Sequence, residues 1–451
     1  LLAAISLLAM KYSKFKVLKI IIKANIHKVF ATDYTDLHRL KIVMKYNIYR
    51  FTTLIGLLLL SISCGSSKKT IPQRKPNSDN LTLTSTDVAF KTGAENIESY
   101  LPLLKDKRVG IVTNQTGILS KEKHLVDFLI EQNINLQKIY APEHGFRGTA
   151  DAGELIVDGK DTKTNLPIIS LYGNNKKPKP EQLEGIDVLV FDLQDVGARF
   201  YTYISSLHYV MEACAENNIP LLVLDRPNPN GTIIDGPILE KEHKSFVGMH
   251  EIPVLHGMTI GEYAKMINGE KWLKDGLQCN LTVIPCLNYA HDMKYSLPVK
   301  PSPNLPNDQS INLYASLCFF EGANVSLGRG TEKQFQIYGS PFLPESEFDF
   351  SFTPKPNFGA KDPVHNGKLC FGEDLTEIRK VHRLELKWLL KAYENTADKT
   401  IFFNDFFTKL SGTKKLREQI EAGMTEKEIR KTWQEGLEQF KEVRKKYLIY
   451  E

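Results

Sequence analysis

Apolar residues in the first half of the chain fall into short β-branched runs separated by stretches of helical spacing. Residues 108–113 (Arg-Val-Gly-Ile-Val-Thr) read as a strand that turns at Asn114-Gln115-Thr116-Gly117, residues 124–132 as a helix, and residues 136–141 as the next strand. Further strands are predicted at 167–172, 187–191 and 220–224. Between the last two, residues 203–217 carry Ile204, Leu207, Val210, Met211 and Cys214 on one helical face. Strand and helix alternating at this rhythm predict a parallel, doubly wound sheet. The expected fold is therefore α/β: a Rossmann-like parallel-sheet domain over residues 88–240, followed by a second α+β domain over residues 241–451. In that second part the loops lengthen, Pro and aromatic residues become frequent, and residues from about 373 onward turn mostly helical.

Several of the predicted strands end in a polar cluster. The most concentrated is Pro142-Glu143-His144-Gly145-Phe146-Arg147, just past the second strand; others are Asn114 after the first, Asp192, Asp195 and Arg199 after the fourth, and Asp225 to Asn230 after the fifth. Parallel sheets collect ligands at the carboxyl edge of their strands, so recurring clusters there imply one shared cleft. The groups available are carboxylates, amides, arginines and tyrosines, which suit a polyhydroxylated ligand and the cleavage of a glycosidic bond. That reaction needs a carboxylic acid to protonate the departing oxygen and a second group for the oxocarbenium-like centre. Glu143, beside Pro142 and Phe146, is the best acid, with Asp192 and Asp195 as the next carboxylates. An Asp opening a loop also serves as a helix cap, and that reading stays open for Asp195. Arg147, Arg199 and Arg329, singly ordinary bracing residues, together could clamp an acidic group. Tyr201 and Tyr203 are expected to divide between cleft and core, and His208 falls on an apolar helix face as a core histidine.

Other chemistries lack their patterns. No strand is followed by GxGxxG, so no nucleotide cofactor is expected; no GxSxG elbow marks a serine hydrolase; His144, His250 and His256 show no zinc-site spacing. A metal-dependent amidase or deacetylase is the weaker alternative.

Charge alters the picture only at the amino end. The formal net charge is +5, but the first 63 residues hold 10 Lys or Arg against 2 Asp, leaving the remainder at −3. A near-neutral body is not built for nucleic acid. Residues 44–63 pair a short basic region with an apolar run, and small residues surround Cys64, as in a bacterial lipoprotein signal peptide. The expectation is an upstream extension at 1–43, a signal peptide at 44–63, lipid attachment at Cys64, a flexible tether at 64–87, and a body on the periplasmic side of the cell envelope. The five later cysteines (Cys214, Cys279, Cys286, Cys318, Cys370) show no CxxC spacing. Buried free thiols are expected, with Cys279–Cys286 the one pairing considered.

Six ordered motifs carry a resemblance. Residues 110–117 (Gly-Ile-Val-Thr-Asn-Gln-Thr-Gly), 141–148 (Ala-Pro-Glu-His-Gly-Phe-Arg-Gly), 192–203 (Asp-Leu-Gln-Asp-Val-Gly-Ala-Arg-Phe-Tyr-Thr-Tyr), 224–231 (Leu-Asp-Arg-Pro-Asn-Pro-Asn-Gly), 256–262 (His-Gly-Met-Thr-Ile-Gly-Glu) and 328–331 (Gly-Arg-Gly-Thr) together resemble the NamZ (YbbC-like) exo-β-N-acetylmuramidases, from about Val88 to the end. The resemblance implies a Rossmann-like catalytic domain with an auxiliary C-terminal domain. It also implies release of N-acetylmuramic acid from the non-reducing end of peptidoglycan fragments, without a cofactor. It places the family's proposed catalytic Glu at Glu143. Substrate contacts are then expected from Asn114, His144, Arg147, Arg199, Tyr201, Asn228 and Arg329. Muramic acid carries a lactyl carboxylate that an arginine in the cleft could select. Glu332-Lys333-Gln334 departs from the family, which more often has Asp and then an apolar residue or proline. A sugar-binding lipoprotein that does not cleave is the competing reading.

Overall fold

A sheet of seven strands forms the centre of the protein, in the order β3-β4-β2-β1-β5-β6-β9. The computed structural model describes residues 89–119, 123–147 and 158–451. The extension, signal peptide, Cys64 and tether read from the sequence lie outside them. The strands are β1 (Arg108–Thr113), β2 (Asn135–Ala141), β3 (Gly159–Lys160), β4 (Pro167–Ser170), β5 (Val188–Asp192), β6 (Leu221–Leu224) and β9 (Leu281–Ile284). Between the last two, β7 (Ile234–Asp235) and β8 (Leu255–His256) form a small antiparallel ladder. All neighbours in the main sheet are parallel except the edge strand β3.

Both faces of the sheet are covered, which is why β1, β5 and β6 are largely apolar and buried instead of alternating with exposed polar residues. Along β5, Val188 and Val190 join Val109, Ile111 and Leu222 on one face, beneath α1 (Ile97–Leu104) and α2 (Leu125–Glu131). Leu189 and Phe191 point the other way. The loop between β4 and β5 holds a single-turn helix, α3 (Pro180–Leu183), and the opposite face is covered by α4 (Tyr203–Glu216) and α5 (Ile260–Gly269). Complete burial of Leu189 or Phe191 stabilises by roughly 1.5–3 kcal/mol each. A Cβ on Gly110 would lie 2.7 Å from Leu189 and 3.0 Å from Tyr140, so the central strand has no room for a side chain there.

The chain runs outward from β1 to β4, then returns to place β5 on the other side of β1. Ligands of such sheets bind where the order reverses, outside the carboxyl ends of the strands. Here that crevice holds the protein's own side chains. Asp192, at the end of β5, accepts hydrogen bonds from Arg226 Nε at 2.6 Å and Nη2 at 3.0 Å, and Nη2 also donates to the Ile118 carbonyl. Both side chains are buried.

A smaller part with an antiparallel sheet follows, as the sequence predicts. Helix α6 (Asp308–Leu317) leads to β10 (Ile337–Ser340), β11 (Phe350–Phe352) and β12 (Cys370–Asp374), in the order β10-β12-β11. The C-terminal helices begin with α7 (Lys387–Asn395) and α8 (Phe406–Ser411). The main sheet takes β9 from beyond residue 240, and Phe319, Phe320 and Tyr338 share one apolar cluster with Phe191 and Val210. The two parts therefore meet through packed core. Cys214, Cys279, Cys286, Cys318 and Cys370 are free and buried, and the Cys279–Cys286 pairing is not made. No helix among the described residues is long and apolar enough to cross a membrane.

Candidate active site

Glu143 leaves the end of β2 on a tight turn closed by a hydrogen bond from Gly145 N to the Pro142 carbonyl. The next two residues have left-handed backbone, His144 at φ 72° and Gly145 at φ 74°. Glycine adopts that conformation freely; histidine does so at a cost of order 1 kcal/mol. Such a cost persists where the surroundings impose the conformation, and here it accompanies the turn that carries Glu143.

This turn opens onto a cleft of about 710 Å³. One wall comes from the sheet edge: Glu143 and His144 after β2, Tyr172 after β4, Phe200, Tyr201 and Thr202 after β5, and Phe246. The other comes from the smaller part, with Glu321, residues 325–327, Arg329, Phe335 and residues 359–364. The mixture of aromatic rings, hydroxyls, carboxylates and cations is that of a site for a polar, ring-shaped ligand.

Glu143 is half-buried, and each of its oxygens is held. Tyr172 donates its hydroxyl to Oε1 at 2.9 Å, and Thr202 donates to Oε2 at 2.8 Å. The two tyrosines divide as predicted. Tyr201 lines the cleft and donates to the Pro301 carbonyl at 2.8 Å, while Tyr203 is buried beneath Glu143 and accepts from Asn114 Nδ2 at 2.6 Å. Burial raises both phenols far above their ordinary range, so neither is an anion.

Of the ten residues singled out in the sequence, four line this cleft: Glu143, His144, Tyr201 and Arg329. The other six lie behind or outside it. Asn114 is tied to the backbone and hydroxyl of Thr116, and reaches the site through Tyr203. Asp192 is neutralised by Arg226. Asp195 accepts from Gly197 N at 2.7 Å, and burial pushes its carboxyl up to about 7. His256 stands 3.8 Å away, pushed down to about 3 by burial, so across mildly acidic pH the pair is uncharged and makes no salt bridge. Asn228 braces the loop, accepting from Asn230 N and donating to the Met258 carbonyl. Its side chain fills the space a Cβ on Gly197 (φ 79°) would take, which is why that position is glycine.

The three-arginine clamp is not assembled. Arg147 is exposed and bidentate to Asp161 at 2.8 and 2.9 Å. Arg199 is fully buried and donates to four main-chain carbonyls, those of Pro237, Ile252, Leu410 and Ser411. Only Arg329 faces the cleft, paired with Glu321 at 2.6 Å and lying over the Phe335 ring. His208 is a core histidine as read, pushed down to about 4 by burial.

Sequence reasoning missed Tyr172, Thr202, Phe246 and Glu321. The first two had a signal: Tyr172 closes a predicted strand at the same sheet edge, and Thr202 lies inside the 192–203 motif. Phe246 and Glu321 stand in long loops or short turns with no periodicity to place them. Among the described residues, no three His, Cys, Asp or Glu side chains gather as a metal ion would require.

Residues 109–309 match the family profile described as the N-terminal part of exo-beta-N-acetylmuramidase NamZ, and residues 312–450 match its C-terminal part. The chain is 39% identical over 423 residues to the peptidoglycan beta-N-acetylmuramidase NamZ of Bacillus subtilis, covering 89% of this chain and 99% of that protein. Two crystal structures of DUF1343 family proteins from Bacteroides fragilis are similar. One has 45% identity and a TM-score of 0.74, the other 31% and 0.70, and each match spans 80% of this chain and 99% of the other. With both profiles in register and a relative matched along nearly its whole length, this chain belongs to the NamZ exo-β-N-acetylmuramidase family.

Proposed function

We propose that this protein is an exo-acting glycoside hydrolase that releases N-acetylmuramic acid from the non-reducing end of peptidoglycan fragments, with Glu143 as its general acid. The observation that carries this is Glu143 itself, the one of the three predicted carboxylates that reaches the cleft, with both oxygens fixed by hydroxyl donors. The activity named for the Bacillus subtilis relative is of the same kind. In the reaction, Glu143 passes a proton to the glycosidic oxygen as the bond to the anomeric carbon breaks. The bonding pair stays with that oxygen, water supplies the hydroxyl that ends on the released sugar, and water's remaining proton restores the Glu143 carboxylic acid. Incubation with a muramoyl disaccharide should yield free N-acetylmuramic acid. Binding without release would mark a sugar-binding protein instead.

Arg329 supports the choice of muramic acid. It is the arginine of the cleft wall, and a guanidinium already oriented by Glu321 offers its remaining donors to the lactyl carboxylate. Arg329→Ala should lower kcat/KM for a muramoyl substrate by roughly 10- to 100-fold, about the worth of one charged hydrogen-bonded contact, and leave a glucosaminyl analogue nearly unchanged. Equal effects on both substrates would remove this role.

Cell-wall sugar as substrate also fits the amino end, where the pattern around Cys64 supports lipid attachment and a location on the periplasmic side of the envelope. In cells, Cys64→Ser should abolish labelling by a fatty-acid analogue and move the protein from the membrane to the soluble fraction. An unchanged membrane fraction would count against the anchor.

A further inference from the structure

We infer that Tyr172 and Thr202 are positioning residues that together hold the Glu143 carboxyl group in the one orientation from which it reaches the glycosidic oxygen; this rests on the reading of Glu143 as the acid. Three elements far apart in the chain converge on one carboxyl group. Glu143 follows β2, Tyr172 follows β4, and Thr202 opens α4. One hydroxyl donates to each oxygen, at 2.9 and 2.8 Å, so rotation about the last side-chain bond would break both contacts together. A glutamate side chain has three rotatable bonds, and a misplacement of about 1 Å can reduce rate 100-fold.

Thr202 makes this contact without serving as a side-chain helix cap. It stands at the N-cap of α4, where a threonine hydroxyl commonly accepts from the first-turn backbone. Here it makes no capping bond; Ser205 N and Ser206 N donate to the Thr202 carbonyl instead, at 3.0 and 2.9 Å. Its hydroxyl donates across the cleft wall to Glu143. Tyr172 is similarly committed. It lies past the last residue of β4, half-buried in the cleft lining, and its ring rests near Phe246 with centroids 6.3 Å apart. That contact steadies the phenol without using its hydroxyl.

The test compares Tyr172→Phe, Thr202→Val and Thr202→Ser with wild type and Glu143→Gln on a chromogenic muramide. The expected result is a kcat lower by roughly 10- to 100-fold in Tyr172→Phe and in Thr202→Val, with KM within about twofold of wild type. Thr202→Ser, which keeps the hydroxyl, retains most of the wild-type kcat. Thermal midpoints should stay within about 2 °C, because Thr202→Val removes no helix cap. Wild-type kcat in either variant, while Glu143→Gln is inactive, removes that residue from the pair. A loss that tracks a fall in thermal midpoint and that serine does not restore also overturns the proposal. Full turnover by Glu143→Gln would instead overturn the assignment of Glu143, and this inference with it.

Discussion

Replacing Glu143 by Gln is expected to lower kcat by roughly 10²- to 10⁴-fold, the contribution a positioned general acid makes, while saccharide affinity and thermal stability stay near wild type. The substitution keeps the size of the side chain and one acceptor oxygen, so at least one of the Tyr172 and Thr202 contacts survives. What it removes is the transferable proton. Glu143 lines an open cleft and is only half-buried, so its replacement by an isosteric amide should not spread into the fold. Steady-state kinetics on a muramoyl substrate, with calorimetric titration of the same variant, separate the two effects. A variant that binds normally and hardly turns over is the predicted outcome, and one that turns over normally would leave the cleft without its acid.

Arg199→Met should show the opposite separation, with a large loss of stability and little change in kcat for the folded fraction. The guanidinium is fully buried and satisfies the carbonyls of Pro237, Ile252, Leu410 and Ser411. The last two lie at the end of α8, where a cation also meets the negative end of the helix dipole. Arg199 therefore ties α8 and the loops around β7 and β8 to the segment that follows β5. Burial pushes its pKa down to about 9, a sign of how fully the site is desolvated. Methionine fills much of the volume and satisfies none of these acceptors. The Ile252 carbonyl keeps its bond from Leu239 N, but those of Pro237, Leu410 and Ser411 lose their donor. An unsatisfied buried acceptor costs about 1–3 kcal/mol, so a loss of at least about 3 kcal/mol is expected, read as a lower urea midpoint with an unchanged slope. Unchanged stability with a lost preference for muramoyl substrates would instead return Arg199 to the substrate clamp considered from the sequence.

These two residues show what the sequence made legible and what it did not. The sheet was readable because β1, β5 and β6 are short apolar runs with both faces covered, so the turns after them stand out as polar interruptions. Glu143 was readable because one such interruption concentrates a carboxylate, a histidine and two glycines at a strand end. The partners of the strand-end residues were not readable. Asp192, Asp195, Arg199 and Asn228 carry the same polar signature as Glu143, but Asp195 turns back to the Gly197 amide, and the others are held by a buried arginine and by main-chain carbonyls 30 to more than 200 positions away. Only the folded chain shows which polar side chains of a strand end face the cleft and which hold the loops together behind it. The same applies to Arg329, whose place in the wall depends on the smaller part packing against the sheet edge.

The most direct test of the central claim is a crystal structure of the Glu143→Gln variant with a muramoyl disaccharide bound. The account predicts the sugar in the cleft, with its glycosidic oxygen within about 3.2 Å of the residue 143 side chain, the distance proton transfer requires. A disaccharide seated elsewhere, or in the cleft with that oxygen beyond reach of residue 143, would contradict it.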